Sequence, residues 1–138
     1  MGTIRKSIDL AFPRLMVWET LINPQDLATW LMPNDFKPEV GHRFTFQTDP
    51  APGFDGTVHS EVLELDPPSR LVIAWKAGGL DTTVTFTLTE TPTGTRMDLK
   101  HDGFVLRQLP TRTILSVGWG RILRKKLPAH LTSKGAAQ

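Results

Sequence analysis

Within TTVTFTLTE (82–90), threonine and a larger apolar residue alternate from Thr83 to Thr89, and this constrains the chain more than any other stretch. Successive side chains on a strand point to opposite faces. Val84, Phe86 and Leu88 therefore share one face, and Thr83, Thr85, Thr87 and Thr89 the other. Threonine is β-branched and tolerates water, so this strand belongs to a sheet with one buried and one solvated face. Such a sheet must be covered on its apolar side.

Similar strands recur. TIRKSIDL (3–10) carries Ile4, Ile8 and Leu10, and HRFTFQT (42–48) sets Phe44 and Phe46 on one face. TVHSEVLELD (57–66) ends at Pro67-Pro68, and RLVIAWK (70–76) ends at Gly78-Gly79. Thr93-Gly94 marks a hairpin into TRMDLKH (95–101), where Met97 and Leu99 alternate again. Residues 49–56, DPAPGFDG, hold two prolines and two glycines and read as a turn-rich loop.

After Gly103 the period becomes helical. Leu115, Trp119, Leu123, Leu127 and Leu131 recur every four residues, with Gly118 and Ile122 beside them and Arg121, Arg124 and Lys125 opposite. This stripe is the cover that the sheet requires. Two short helices are predicted earlier. PRLMVWETL opens on Pro13 and presents Leu15, Trp18, Glu19 and Leu21; Asn23-Pro24 breaks it, and PQDLATWL ends before Pro33. The fold class is α+β: a curved antiparallel sheet of about six strands around a long C-terminal helix, with two short helices after strand 1. Residues 1–138 form a single domain, with a flexible tail expected over about 133–138. Pro128 falls inside the last helix, where an interior proline costs about 3 kcal/mol unless the helix kinks or ends.

Composition narrows the function classes. With 39% hydrophobic and 22% charged residues, the 138-residue chain can bury one sizeable core. No apolar run reaches the roughly 20 residues that span a bilayer, so stable membrane insertion is not expected. Met1 to Leu10 lacks an apolar signal core, and a cytoplasmic location is expected. The absence of cysteine excludes disulfides and thiolate chemistry. All 14 acidic residues lie at or before Asp102, whereas seven basic residues and no acidic one follow from Arg107 onward. The expectation is that the basic helix lies across the acidic body. Those basic residues lack interleaved exposed aromatics or a known motif, so nucleic acid is not expected as a partner.

Reactive groups are sparse. His42, His59, His101 and His130 have no metal-ligand spacing, and no nucleophile motif or phosphate loop occurs; neither metal nor cofactor nor catalytic residue is assigned. Glu61 and Glu64 fall on opposite faces of one strand, and Asp102 reads as turn chemistry. His101 follows Met97 and Leu99 in the alternation and shares their inward face.

Four segments together resemble one family: VWETLINPQDLATWL (17–31), GTVHSEVLELDPPSRLVIAW (56–75), VTFTLTETPTGTRMDLKHDGF (84–104) and GWGRILRKKL (118–127). They are similar to bacterial homologues of the activator of heat shock protein 90 ATPase, within the START-like (SRPBCC) superfamily. The resemblance covers nearly the whole chain. It implies the helix-grip fold with an apolar cavity between sheet and helix. Superfamily members bind lipids, polyketides and other hydrophobic molecules, and some catalyse cyclisation or hydrolysis.

The implied ligand is a hydrophobic small molecule, lipid-, polyketide- or flavonoid-like. The implied walls are Trp75, Phe86, Met97, Leu99 and Trp119, with Trp30, Met32 and Phe36 at the mouth and His101 as a polar contact. The alternatives are a cyclase- or hydrolase-like enzyme on the same scaffold, or a co-chaperone-like interaction module. A homodimer is left open, and the sequence gives chaperone contact no support.

Overall fold

The alternating segments become strands, and the four-residue stripe becomes the helix that covers them. The computed structural model describes residues 2–137. The chain runs β1 (Gly2–Leu10), α1 (Arg14–Ile22), α2 (Pro24–Trp30), β2 (Arg43–Gln47), β3 (Thr57–Asp66), β4 (Arg70–Ala77), β5 (Leu80–Thr91) and β6 (Gly94–Phe104). A short 3₁₀ turn, Leu106–Gln108, leads into α3 (Leu109–Arg121), a π-helical turn (Ile122–Lys126) and α4 (Leu127–Ala137). All six strands form one antiparallel sheet in the order β1-β6-β5-β4-β3-β2. The first two strands thus lie at opposite edges, and α1 and α2 carry the chain across.

Register places the apolar residues in rungs on the inner face. Ile4, His101, Val84, Ile73 and Val62 form one rung, and Leu99, Phe86 and Leu71 the next. A bulge between Val62 and Glu64 turns Leu63 outward. The two short helices meet at Asn23, whose backbone N–H closes α1 on Glu19 and whose Oδ1 accepts from the N–H groups of Gln25 and Asp26. Pro24 follows at the first helical position, where its missing N–H costs nothing.

Helix α1 differs from expectation. It buries Val17, Trp18, Thr20 and Leu21, while Leu15 is 65% exposed. The polar Thr20 can be buried because its hydroxyl donates to the Met16 carbonyl at 2.9 Å and accepts from Lys134 Nζ at 3.2 Å.

The long helix explains its own spacing. In an α-helix each four-residue step overshoots one turn by about 40°, so a strict four-residue stripe drifts off its face within three steps. Here the wider turn at Ile122–Lys126, in which the Leu127 N–H donates to the Ile122 carbonyl, absorbs the drift. Trp119, Leu123, Leu127 and Leu131 are all buried as a result. The same turn corrects the expectation for Pro128. In a regular helix its ring would meet the carbonyl of Arg124, but Arg124 sits within the widened turn, and the chain stays helical through the proline.

Helix α4 continues through Ala137, over most of the stretch expected to be a tail; Gln138 lies outside the described residues. The helix is tied back to α2. Asp26 accepts from His130 Nε2 at 2.7 Å and from Lys134 Nζ at 3.0 Å. Among the seven basic residues after Gly103, only Lys134 meets a carboxylate among the described residues, so ion pairs with the body do not account for the charge of this segment.

Candidate functional site

The helix covers the sheet unevenly. Under its C-terminal half the space is filled by Leu123, Leu127 and Leu131 together with α1 and α2. Under its N-terminal half a cavity of about 620 Å³ remains open. Its floor is made of buried side chains: Leu31, Val58, Trp75, Leu80 and Trp119. Its rim is made of exposed residues from three places. Asp49, Ala51, Pro52 and Gly53 come from the loop between β2 and β3, Gly78 from the β4–β5 turn, and Thr111, Ile114 and Lys126 from the helix.

The loop is shaped for this position. Ala51 and Phe54 exchange both backbone hydrogen bonds, and Thr48 N–H donates to the Gly56 carbonyl. Gly56 has φ of 90° and a side chain there would fall 2.5 Å from the Thr48 carbonyl, so the tight closure requires glycine. On the helix, Leu115, Gly118 and Ile122 flank Trp119 on the cavity side. A Cβ added at Gly118 would meet no atom within 4 Å, so this glycine opens space into the cavity.

Trp119 and Trp75 are held in place by a polar chain behind them. The Trp119 indole N–H donates to His101 Nδ1 at 3.1 Å. The Thr82 hydroxyl donates to the Trp75 carbonyl at 2.6 Å and lies 2.8 Å from His101 Nε2. Each proton then has one place: His101 carries its hydrogen on Nε2 and donates it to Thr82. This neutral form is what the environment favours. Burial pushes the His101 pKa down from 6.5 to about 4, against the smaller upward pull of the Asp102 charge. Asp102 is itself held below its usual value, chiefly by the hydrogen bond from the Thr3 hydroxyl. The imidazole therefore supports the two indoles with both nitrogens engaged.

Of the nine residues expected to contact a ligand, Met32, Trp75 and Trp119 line the cavity. The other six lie in the packed interior and do not line it. Trp30 is fully buried, donates its indole N–H to the Thr20 carbonyl at 3.0 Å and meets Phe86 edge-on. Phe36 packs edge-on against Phe44. Phe86 also touches Trp119, Met97 and Leu99 face inward on β6, and His101 stands behind the wall. Sequence reasoning missed the loop residues Asp49, Ala51, Pro52 and Phe54, the β4–β5 turn, and Thr111, Ile114 and Lys126. The one available signal was Gly118, a helix-weakening residue set beside the apolar stripe.

Chemically, the lining offers an apolar floor, aromatic walls and a few polar groups at the rim. Among the described residues no three His, Asp or Glu side chains converge as a metal site would need, and no helix is long and apolar enough to cross a membrane.

Comparison with known proteins agrees with this architecture. The Mesorhizobium loti protein MLL2253 is 33% identical, with 96% of this chain and 98% of that one covered and a TM-score of 0.89. The Bacillus halodurans protein BH1534 is 27% identical over 95% of this chain and 97% of its own, with a TM-score of 0.80. CalU16 from Micromonospora echinospora is 25% identical, covers 94% of this chain and 64% of its own, and has a TM-score of 0.74. No curated protein matches the chain. The family model described as "Activator of Hsp90 ATPase homolog 1-like protein" matches residues 11–132. The chain therefore belongs to the activator of Hsp90 ATPase homologue family, with the helix-grip fold of the START-like superfamily.

Proposed function

We propose that this protein binds a hydrophobic small molecule in the cavity between α3, the loop 48–56 and the β3–β5 part of the sheet. The observation that carries the proposal is the cavity itself: about 620 Å³, floored by Trp75 and Trp119 and open at the rim. Small-molecule sites typically occupy about 300–1,000 Å³, with mostly apolar walls and few polar groups. The bond from Trp119 to His101 supports the same reading, because it fixes a large aromatic wall before any ligand arrives. The family's fold is compatible with such a scaffold.

Tryptophan emission tests this directly, since two of the four tryptophans line the site. Flat apolar compounds of flavonoid or polyketide type should quench or shift the emission at micromolar concentrations. Trp119→Phe should remove a large part of that change while the protein stays folded. No response to any member of a broad hydrophobic library would leave the cavity without a binding function.

A further inference from the structure

We infer that the ligand carries a single anionic group, a carboxylate, which meets Lys126 at the rim while the apolar body rests on Trp75 and Trp119. The assignment rests on the cavity being a binding site and names the class of molecule it takes.

The lining contains one cation, Lys126, and one anion, Asp49. Lys126 comes from the helix and Asp49 from the loop, and no ion pair joins either of them to any partner among the described residues. Lys126 ends the π-helical turn. The stripe that faces the cavity, Thr111, Leu115, Gly118 and Ile122, leads to it along the helix. An elongated ligand lying along that stripe would thus run from apolar wall to ammonium.

The surroundings decide which of the two charges recognises the ligand. Arg124 and Lys125 adjoin Lys126 in the chain, and no acidic residue occurs after Asp102. Charges within about 8–10 Å act together at physiological ionic strength, so the helix side of the rim attracts anions. The wall groups with hydrogen to donate point the same way. His101 and the Trp119 N–H are used internally, whereas no acceptor for the Trp75 indole N–H is found among the described residues, and Thr111 adds a hydroxyl. Asp49 in the same lining would repel a second negative charge, which limits the ligand to one.

Three probes with one naphthyl body separate the outcomes by calorimetry: 1-naphthylacetic acid, 2-(1-naphthyl)ethanol and 2-(1-naphthyl)ethylamine. The acid should bind about tenfold more tightly than the alcohol, the gain of one charge-assisted contact at a partly open site. Lys126→Gln should abolish the preference, bringing the acid down to the level of the alcohol. Asp49→Asn should tighten the acid by about two- to fivefold. Lys126 and Asp49 are both exposed, so unfolding midpoints should not move, and measuring them checks this. Equal binding of acid and alcohol, or an acid preference that survives Lys126→Gln, overturns the anion assignment and leaves the cavity a binding site. Preference for the amine also overturns it and gives recognition to Asp49. Failure of all three probes to bind overturns this assignment, whereas the binding function stands or falls with the emission screen.

Discussion

Leu123→Ala should lower the stability of the folded chain by about 2–5 kcal/mol, the range for emptying a well-packed leucine site. Leu123 is 1% exposed and lies within the π-helical turn, between Trp119 and Leu127 on the buried stripe. Its neighbours are held from both sides: the sheet below is fixed by its ladder, and α4 is tied to α2 through Asp26, His130 and Lys134. The site therefore cannot collapse freely, and part of the vacated volume should persist. Lys125→Ala, two residues on and exposed, should change stability by less than about 0.5 kcal/mol. Chemical denaturation of both variants is the check. Unchanged midpoints in both would mean that the helix does not grip the sheet.

Acid should weaken the fold through His101. In the unfolded chain this histidine titrates near 6.5, and in the folded chain burial lowers it to about 4. The unfolded state therefore binds the extra proton first as pH falls. The stabilisation is fully present above pH 6.5, declines as pH drops toward 4, and is gone below that. The difference amounts to about 3 kcal/mol, from roughly 1.4 kcal/mol for each pKa unit. Protonation would also turn the Nδ1 acceptor of the Trp119 N–H into a donor, so the loss is a loss of the wall's support. Denaturant titrations at pH 7, 5.5 and 4.5 should show the decline. His101→Gln, which is less stable at pH 7 but does not titrate, should be flatter across the same window. Asp102 acts in the same direction at lower pH, because its folded value is also depressed.

Why the sheet was legible in the sequence and the site was not follows from physical differences between them. Strand alternation reports which face is buried, and it placed Val84, Phe86, Leu88, Met97, Leu99 and His101 inward as the structure has them. The C-terminal stripe identified the cover. Its strict spacing of four, rather than 3.6, also carried the π-helical turn, and the position of Pro128 agrees with it. Core and cavity wall, however, draw on the same large apolar residues. Trp30, Phe36 and Phe86 look in sequence like Trp75 and Trp119, and only the meeting of α2 with the sheet and helix decides that the first three are packed in. The rim was hidden for another reason. Asp49, Pro52 and Lys126 are exposed loop and helix residues, and nothing in a pattern of burial marks them. Leu15 shows the opposite error, because a nine-residue helix has too few turns for periodicity to choose its face.

Filling the cavity from the helix tests the binding function most directly. Gly118→Trp introduces an indole where a Cβ meets nothing within 4 Å, at a helical position where glycine is itself unfavourable. Calorimetric binding of 1-naphthylacetic acid and of the best compound from the emission screen should be compared between wild type and this variant, with the unfolding midpoint of each. The expected result is a variant at least as stable as wild type that has lost binding by tenfold or more. A folded Gly118→Trp protein that binds both compounds as tightly as wild type would place the ligand elsewhere and contradict the cavity as its site.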